Sequence, residues 1–216
     1  MKEWFRDLGF FIRHRIVGLF ALCLALYCVI VIGSRVYVNS TGIADEVMEG
    51  ISETLSNMEI EETDEDGDTY ISMPKLAIQN IRAGMIGLFA GLVPFILFPV
   101  IILAENAFIL GAILVPSDYL GVSAMQIFLF GILPHGIMEI PAMVICYACG
   151  VRICITVTSF ILKRKDWFET KYEISHAIIT AVFIAVPLFL GAAYVESYIT
   201  PDLLYRMALA PALGLA

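Results

Sequence analysis

Length, composition and charge place this chain among integral membrane proteins. It has 216 residues, of which 60% are hydrophobic and 16% are charged, whereas soluble domains contain roughly 45–50% apolar residues. The net charge of -8 arises from one segment, because eleven of the 21 acidic residues lie between positions 45 and 68, where no Lys or Arg occurs. The absence of a basic surface argues against nucleic-acid binding.

The first apolar run predicts a retained transmembrane helix. Residues 1–15 are basic and predicted to be cytoplasmic, and residues 16–34 form the first span. This run is too long for the apolar region of a signal peptide, and no Ala-x-Ala site follows it. Residues 35–80 are predicted to be an acidic extracytoplasmic loop. An amphipathic helix is expected within this loop, because four apolar residues recur there at helical spacing: Val47, Ile51, Leu55 and Met58.

Residues 81–162 form the predicted core of the bundle. The second span covers about 81–103, with a kink or break expected at Pro94 and Pro99. An apolar third segment is interrupted at positions 115–119, so that each half is too short to cross a membrane alone. It is either one broken span or a re-entrant hairpin. The fourth span is predicted at 137–162.

A basic loop over 163–174 and a fifth span at about 175–199 complete the prediction, with the rest of 175–216 extracytoplasmic. Lys and Arg form two clusters, namely Lys2, Arg6, Arg13 and Arg15, and Lys163, Arg164, Lys165 and Lys171. Cytoplasmic loops collect such residues. Five spans place both clusters inside and the acidic loop outside. The predicted fold is therefore an all-α, polytopic helical bundle of about five spans in the plasma membrane.

Two polar residues stand at the start of the predicted fourth span. Residues 133–141 read LPHGIMEIP, so His135 and Glu139 lie one helical turn apart and share a face. Ionisable groups inside a membrane have a functional or a packing role. Metal binding, proton handling and a polar clamp between spans are the functional alternatives, and a buried His–Glu lock is the structural one. One His and one Glu are too few ligands for zinc, so His135 and Glu139 are only candidate metal ligands, and no cofactor is predicted.

Three further polar residues are candidates for the same polar cluster. Arg152 lies about 11 residues before the second basic cluster, hence roughly 16 Å deep along a helix, and requires an acidic or carbonyl partner. Glu105 is the first candidate for this partner. Glu105 and Asn106 complete a site with His135 only if the broken segment brings them close.

Glycines and cysteines in the apolar runs are predicted to serve packing. Gly84, Gly87 and Gly91 recur at helical spacing and form a flat face for close helix contact, either within the chain or with a second copy in a dimer. The five cysteines lie in apolar runs, where they are expected to act as small hydrophobic residues. Cys146-x-x-Cys149 is a weak candidate for a redox or metal pair.

Several of these motifs resemble the stage II sporulation protein M family. They are Asn80 before a Gly-rich span, the segment 105–111 (ENAFILG), and the specific segment LPHGIMEIPA at 133–142. The family often has Gly where this chain has Ala107. The resemblance implies a membrane scaffold, since in sporulating bacteria members organise a peptidoglycan-remodelling complex with a lytic transglycosylase and an amidase. Relatives also occur in organisms without peptidoglycan, so the fold is implied more securely than the process.

Two functional hypotheses follow. The first is a non-enzymatic scaffold that contacts lipids, forms a homodimer and recruits membrane or envelope proteins. The second is a small-solute or ion transporter that uses broken helices and buried charges. The sequence contains no nucleophile elbow, catalytic triad pattern or phosphate-binding Gly loop, so enzymatic activity is not expected.

Overall fold

The structure, a computed structural model, describes residues 2–56, 60–63, 69–115 and 122–210. Its first part is a long helical stretch that contains the predicted first span. α1 (Lys2–Phe11), a short π-helical segment (Ile12–Ile16) and α2 (Val17–Thr41) follow one another without a break. The helix continues beyond position 34 because the first conformational stop is Gly42, whose positive φ of 70° is typical of a helix C-terminus.

The acidic segment contains more structure than a loop. It includes α3 (Ala44–Ser56) and an antiparallel hairpin of β1 (Glu61–Thr63) and β2 (Thr69–Ile71), in which Glu61 pairs with Ile71. α3 coincides with the predicted amphipathic helix, and its Val47 packs against a cluster of Val38, Ala112 and Val115. Met58 and positions 64–68 lie outside the described residues. Helices make up the rest of the regular structure in the described residues, so the all-α class is confirmed, and strands of three residues leave almost no pattern of alternation from which to predict this hairpin.

The predicted second span is two helices. α4 (Met73–Phe89) begins eight residues before the expected position 81, and α5 (Phe98–Ile113) follows a single 3-10 turn (Ala90–Leu92) and a tight connection. Pro94 lies in this connection, where Phe95 has a positive φ of 65°. In place of the expected kink, the chain makes a complete turn. The helix α5 also includes residues that were predicted to lie in the third segment.

Side chains of the long helix α7 (Leu133–Ile161) satisfy the backbone of this turn. Thr158 Oγ1 accepts a hydrogen bond of 3.0 Å from the Phe95 N–H. The Cys154 thiol donates to the carbonyl oxygens of Val93 and Ile96, at 3.4 and 3.3 Å. Irregular backbone is compatible with a membrane only where its polar groups find partners. Cys154 therefore has a polar role beyond the apolar packing expected of it.

The remaining helices follow the two later apolar runs. α6 (Ala124–Gln126) and a π-helical segment (Ile127–Ile132) lead into α7, so helical structure begins thirteen residues before position 137, the predicted start of the fourth span. The predicted interruption at 115–119 lies largely outside the described residues. Beyond α7, α8 (Trp167–Thr180), a π-helical segment (Ala181–Ala185) and α9 (Val186–Tyr198) form the last long stretch, followed by α10 (Thr200–Leu204) and a π-helical segment (Tyr205–Leu209).

The basic loop is shorter than predicted because α8 has a strong N-terminal cap. The Asp166 carboxylate accepts a hydrogen bond of 2.8 Å from the Glu169 N–H, which starts the helix at Trp167. Two thirds of the predicted loop, including Lys171 and Glu173, is therefore helical.

Three helical stretches of the described chain are long and apolar enough to cross a membrane: Glu3–Thr41, Ile127–Ile161 and Trp167–Tyr198. α5 is apolar but has 16 residues, a length of about 24 Å. An all-α membrane bundle is compatible with this arrangement. The predicted second and third crossings correspond to the shorter helices α4 and α5.

The chain divides into two compact units. The first comprises residues 1–28, 81–105 and 140–188, and the second comprises residues 29–80, 106–139 and 189–216. In the first unit, α4 packs closely against α7. In the second, two apolar clusters form the core, one around Val38 and Ala112 and the other around Leu76, Ala77 and Ala193.

Candidate functional site

Three ionisable side chains converge in the second unit. His135 and Glu139 occupy successive turns at the start of α7, as the sequence predicted, and Glu196 approaches from the end of α9. His135 Nε2 is 3.9 Å from Glu139 Oε2 and 3.9 Å from Glu196 Oε2. One ligand atom from each residue lies within 4.8 Å of the other two. We call these three residues the His135 cluster.

The other ring nitrogen of His135 is held by the chain after α9. His135 Nδ1 and Thr200 Oγ1 are 3.3 Å apart, within hydrogen-bonding distance. Thr200 is buried, and α10 begins there because Pro201 suits the first turn of a helix. The contact fixes the plane of the imidazole ring, so that Nε2 faces the two carboxylates.

A glycine permits α9 to approach α7 beside the cluster. A Cβ atom on Gly191 would lie 3.1 Å from the Met138 sulfur atom. Met138 directly precedes Glu139, and Gly191 precedes Glu196 by five residues on α9. The close packing of these two helices therefore determines how near the two glutamates lie to each other.

The His135 cluster has little solvent and little positive charge around it. The exposed fractions of its side chains are 12% for His135, 20% for Glu139 and 24% for Glu196. Among the described residues, no Lys or Arg lies within ion-pair distance of either glutamate. Two carboxylates and one imidazole thus share a partly buried position.

Sequence reasoning found two of the three members. Glu196 was missed, although it is the sole charged residue of the predicted fifth span and such residues are functional candidates by default. Glu105, proposed as a further member, is an exposed residue of α5 and is not among the grouped ligands. Asn106, the next residue, is half-buried on the same helix.

A second polar network lies in the first unit, around Glu173 of α8. Arg152 of α7 donates to Glu173 Oε1, and the Lys165 ammonium group pairs with Glu173 Oε2. The Thr156 hydroxyl donates to Oε2 at 2.6 Å, and Arg15 Nε lies 3.8 Å from Oε1. We call these residues the Glu173 network.

The prediction that Arg152 pairs with Glu105 is wrong, because Glu173 occupies that role. Arg152 and Glu173 are both buried, with side-chain exposures of 11% and 7%. Glu173 was missed because it falls in the segment 163–174, which was predicted to be a basic loop. The helical phase of α8 turns Glu173 inward, while Glu169, one turn earlier, is exposed.

Aromatic contacts join the N-terminal segment to the same helix. Phe11 is buried and packs against Tyr172 and His176 of α8, with ring centroids 6.2 and 5.5 Å apart. The first basic cluster and α8 therefore lie next to each other.

The predicted glycine face packs inside the first unit. A Cβ atom on Gly87 would overlap the Tyr147 ring, and one on Gly91 would overlap the carbonyl oxygen of Gly150. Gly84 is also buried. The surface around Gly87 and Gly91 is thus occupied by α7, which contradicts their use as a contact with a second copy.

Comparison with known proteins identifies the same family that the sequence motifs resemble. The family model for stage II sporulation protein M matches residues 15–201. This chain belongs to that family.

Two archaeal relatives of the family come from Methanocaldococcus jannaschii. The uncharacterized protein MJ0793 is 32% identical over 145 residues, which cover 65% of this chain and 80% of the relative. The uncharacterized protein MJ0706 is 23% identical over 184 residues, which cover 84% of this chain and 77% of the relative. No solved structure matches this chain.

The segment with the most specific resemblance to the sporulation protein M family supplies the His135 cluster. Pro134 and His135 lie at the junction between the π-helical segment Ile127–Ile132 and α7. Asn80, another residue of the resemblance, lies on α4, and its side-chain nitrogen is buried without a hydrogen-bond partner among the described residues.

Proposed function

We propose that this member of the sporulation protein M family is a non-enzymatic scaffold of the plasma membrane, linked to the cell envelope. The Glu173 network is the observation that carries the proposal. It connects the N-terminal segment, α7, the loop before α8 and α8 itself through one buried carboxylate. The charges of this network hold the chain together internally, as expected of a rigid framework.

The same network supports a cytoplasmic N-terminus. Arg15 precedes α2 and Lys165 follows α7, yet both approach Glu173, so the two basic clusters belong on one side of the membrane. The positive-inside rule makes that side cytoplasmic. The chain then crosses the membrane an even number of times between the two basic clusters. The helices α2, α4, α5 and α7 account for four such crossings. α8 and α9 provide the fifth crossing and lead the chain outside.

In this topology the acidic segment faces the outside and is the proposed partner-binding surface. α3 follows α2 directly and exposes Glu46 and Glu49. Exposed apolar residues of α2 fit lipid contact instead, since they recur at helical spacing: Leu22, Val29, Ile32 and Val36. Homodimerisation stays a prediction, which native mass spectrometry of the purified protein tests. The predicted dimer contact does not include Gly87 and Gly91.

A labelling experiment tests the topology. Single cysteines replace Glu49 and Arg164, both exposed, in a variant without native cysteines. A membrane-impermeant maleimide added to intact cells is expected to label position 49 alone. Lysis makes position 164 reactive. Labelling of position 164 in intact cells contradicts the topology.

Cross-linking and transport assays together test the scaffold role. A photo-cross-linking amino acid on α3 is expected to capture an envelope protein in native membranes. The double variant Glu46→Gln/Glu49→Gln loses this product, while the matched control Glu3→Gln/Glu169→Gln, with the same change in charge on the cytoplasmic side, retains it. Solute or ion flux in proteoliposomes, with no cross-linked partner, contradicts the scaffold and favours a transporter.

A further inference from the structure

The His135 cluster and the Glu173 network differ in how their negative charge is compensated. Glu173 has three cationic side chains around one carboxylate. Glu139 and Glu196 are two carboxylates with no Lys or Arg within ion-pair distance among the described residues. In a partly buried environment, two like charges at this separation repel strongly. A positively charged ligand or protonation of a carboxylate relieves this repulsion.

The distances within the cluster favour a bound ion over direct hydrogen bonds. Hydrogen bonds between nitrogen and oxygen atoms are about 2.7–3.2 Å long, so the two separations of 3.9 Å from His135 Nε2 are too long. Two ligands of a tetrahedral ion with bonds of about 2.1 Å lie roughly 3.4 Å apart. The two separations from His135 Nε2 are close to this value, and the three ligand atoms all lie within 4.8 Å of one another.

The orientation of His135 matches that of a metal ligand. Metal-binding imidazoles commonly donate their other ring N–H to a fixed acceptor, which determines the tautomer. Here Thr200 Oγ1 is placed to accept from Nδ1–H, and Nε2 then presents its lone pair to the space between Glu139 and Glu196.

We infer that His135, Glu139 and Glu196 bind a divalent transition-metal ion, with Thr200 as the residue that orients the imidazole. One imidazole nitrogen and two carboxylate oxygens are a ligand set that Zn²⁺ accepts, and the two negative charges match its charge. Three protein ligands leave one position for water. The site is independent of the scaffold proposal, which rests on the Glu173 network.

Cobalt binding to the purified full-length protein tests the inference. The protein is isolated with a histidine-free tag, stripped with chelator and titrated with Co²⁺, whose visible absorption reports the geometry and type of its ligands. We expect one equivalent to bind and to be displaced by Zn²⁺. Absence of a stoichiometric site overturns the inference and leaves protons as the compensating charge.

Conservative variants assign the ligands. Glu196→Gln and Glu139→Gln keep side-chain size and are expected to lose Co²⁺ binding, and Glu105→Gln is the matched control that retains it. Thr200→Val should weaken binding by about 10- to 100-fold, as loss of an orienting hydrogen bond does. Unchanged affinity in Glu196→Gln, in protein that elutes as a single species, overturns the assignment.

A measurement on the wild type keeps the test decisive if the variants do not fold. X-ray absorption at the zinc edge is expected to show a nitrogen and oxygen shell with the outer scattering of one imidazole. Sulfur in that shell would assign the ion to cysteines and refute the His135 cluster as its site.

Discussion

Replacing Glu173 with Gln tests whether the Glu173 network stabilises the first unit. The substitution keeps the shape of the side chain and one acceptor oxygen, and it removes the negative charge that Arg152, Lys165 and Arg15 share. Arg152 is the most deeply buried of the three cations, and its Nε atom already lacks a partner among the described residues.

The expected loss of stability follows from the exposure of each partner. Arg15 is 52% exposed, so its ion pair contributes less than about 1 kcal/mol. Arg152 is 11% exposed, and removing one partner of a buried pair costs about 3–5 kcal/mol because an uncompensated charge remains. The Thr156 hydrogen bond to a charged acceptor is included in this range, since contributions within one network are not additive. We expect Glu173→Gln to lower the free energy of unfolding by about 3–5 kcal/mol.

Unfolding in mixed micelles measures this loss. Helix content by circular dichroism and tryptophan fluorescence, from Trp4 on α1 and from Trp167 on α8 with Glu173, provide two probes. Glu169→Gln is the matched control, because Glu169 is exposed on the same helix one turn earlier. Its effect should remain within about 0.5 kcal/mol.

The double variant Arg152→Met/Glu173→Leu separates a buried charge from a general packing defect. Replacing both partners by apolar residues removes the uncompensated charge, so this protein should be more stable than Glu173→Gln. The reasoning is refuted if Glu173→Gln is no more destabilising than Glu169→Gln.

Three smaller predictions concern helix contacts and the hairpin. Gly91→Ala should destabilise the protein by about 1–3 kcal/mol because the new Cβ meets backbone, whereas Gly33→Ala, with nothing within 4 Å, should be neutral or stabilising in the same unfolding assay. Thr158→Val should cost about 1 kcal/mol by removing the acceptor of the Phe95 N–H. Hydrogen bonds from Tyr70 and Lys75 lower the pKa of Glu62 below 4.5. The stabilisation is present above that value and lost as the pH falls through the lowered pKa, which a carboxyl NMR titration detects as an upward shift in Lys75→Met.

The sequence predicted the helices of the first, fourth and fifth spans, where apolar residues extend over a membrane-spanning length, but not the division of residues 81–103 between α4 and α5. It placed the boundaries less well, because local capping decides them. Gly42 ends the first helix seven residues beyond its predicted end, and Asp166 starts α8 inside a segment predicted to be a loop. Residues 73–80 at the start of α4 mix polar and apolar side chains, so hydropathy alone does not extend the predicted span to them.

The turn between α4 and α5 shows a second limit of sequence reasoning. Pro94 indicated a disturbance in an apolar run, but a kink and a full turn have the same local composition. The partners of the turn, Thr158 and Cys154, lie about sixty positions away. Tertiary contacts that satisfy a turn leave no trace in its own segment.

The sequence predicted the part of the candidate site that lies on a single helix. His135 and Glu139 lie four residues apart, so helical geometry alone places them on one face. Glu196 joins them through the packing of α9 against α7, which spacing within either helix does not specify. The isolation of Glu196 in an apolar span was nevertheless a usable signal. Glu173 lies among other charged residues, so nothing in the sequence distinguished it.

Charge compensation distinguishes the two polar groups of this protein. A buried carboxylate that is surrounded by several cations has its charge compensated within the chain. Removing that carboxylate leaves buried positive charge without a partner, which destabilises the protein. A pair of carboxylates without a cation gains most from a ligand that supplies positive charge. Loss of Glu173 should therefore destabilise the protein whatever metal is present. Loss of Glu196 should instead remove the stabilisation that added Zn²⁺ confers on the wild type, because an ion that binds only the folded state shifts its unfolding equilibrium by mass action.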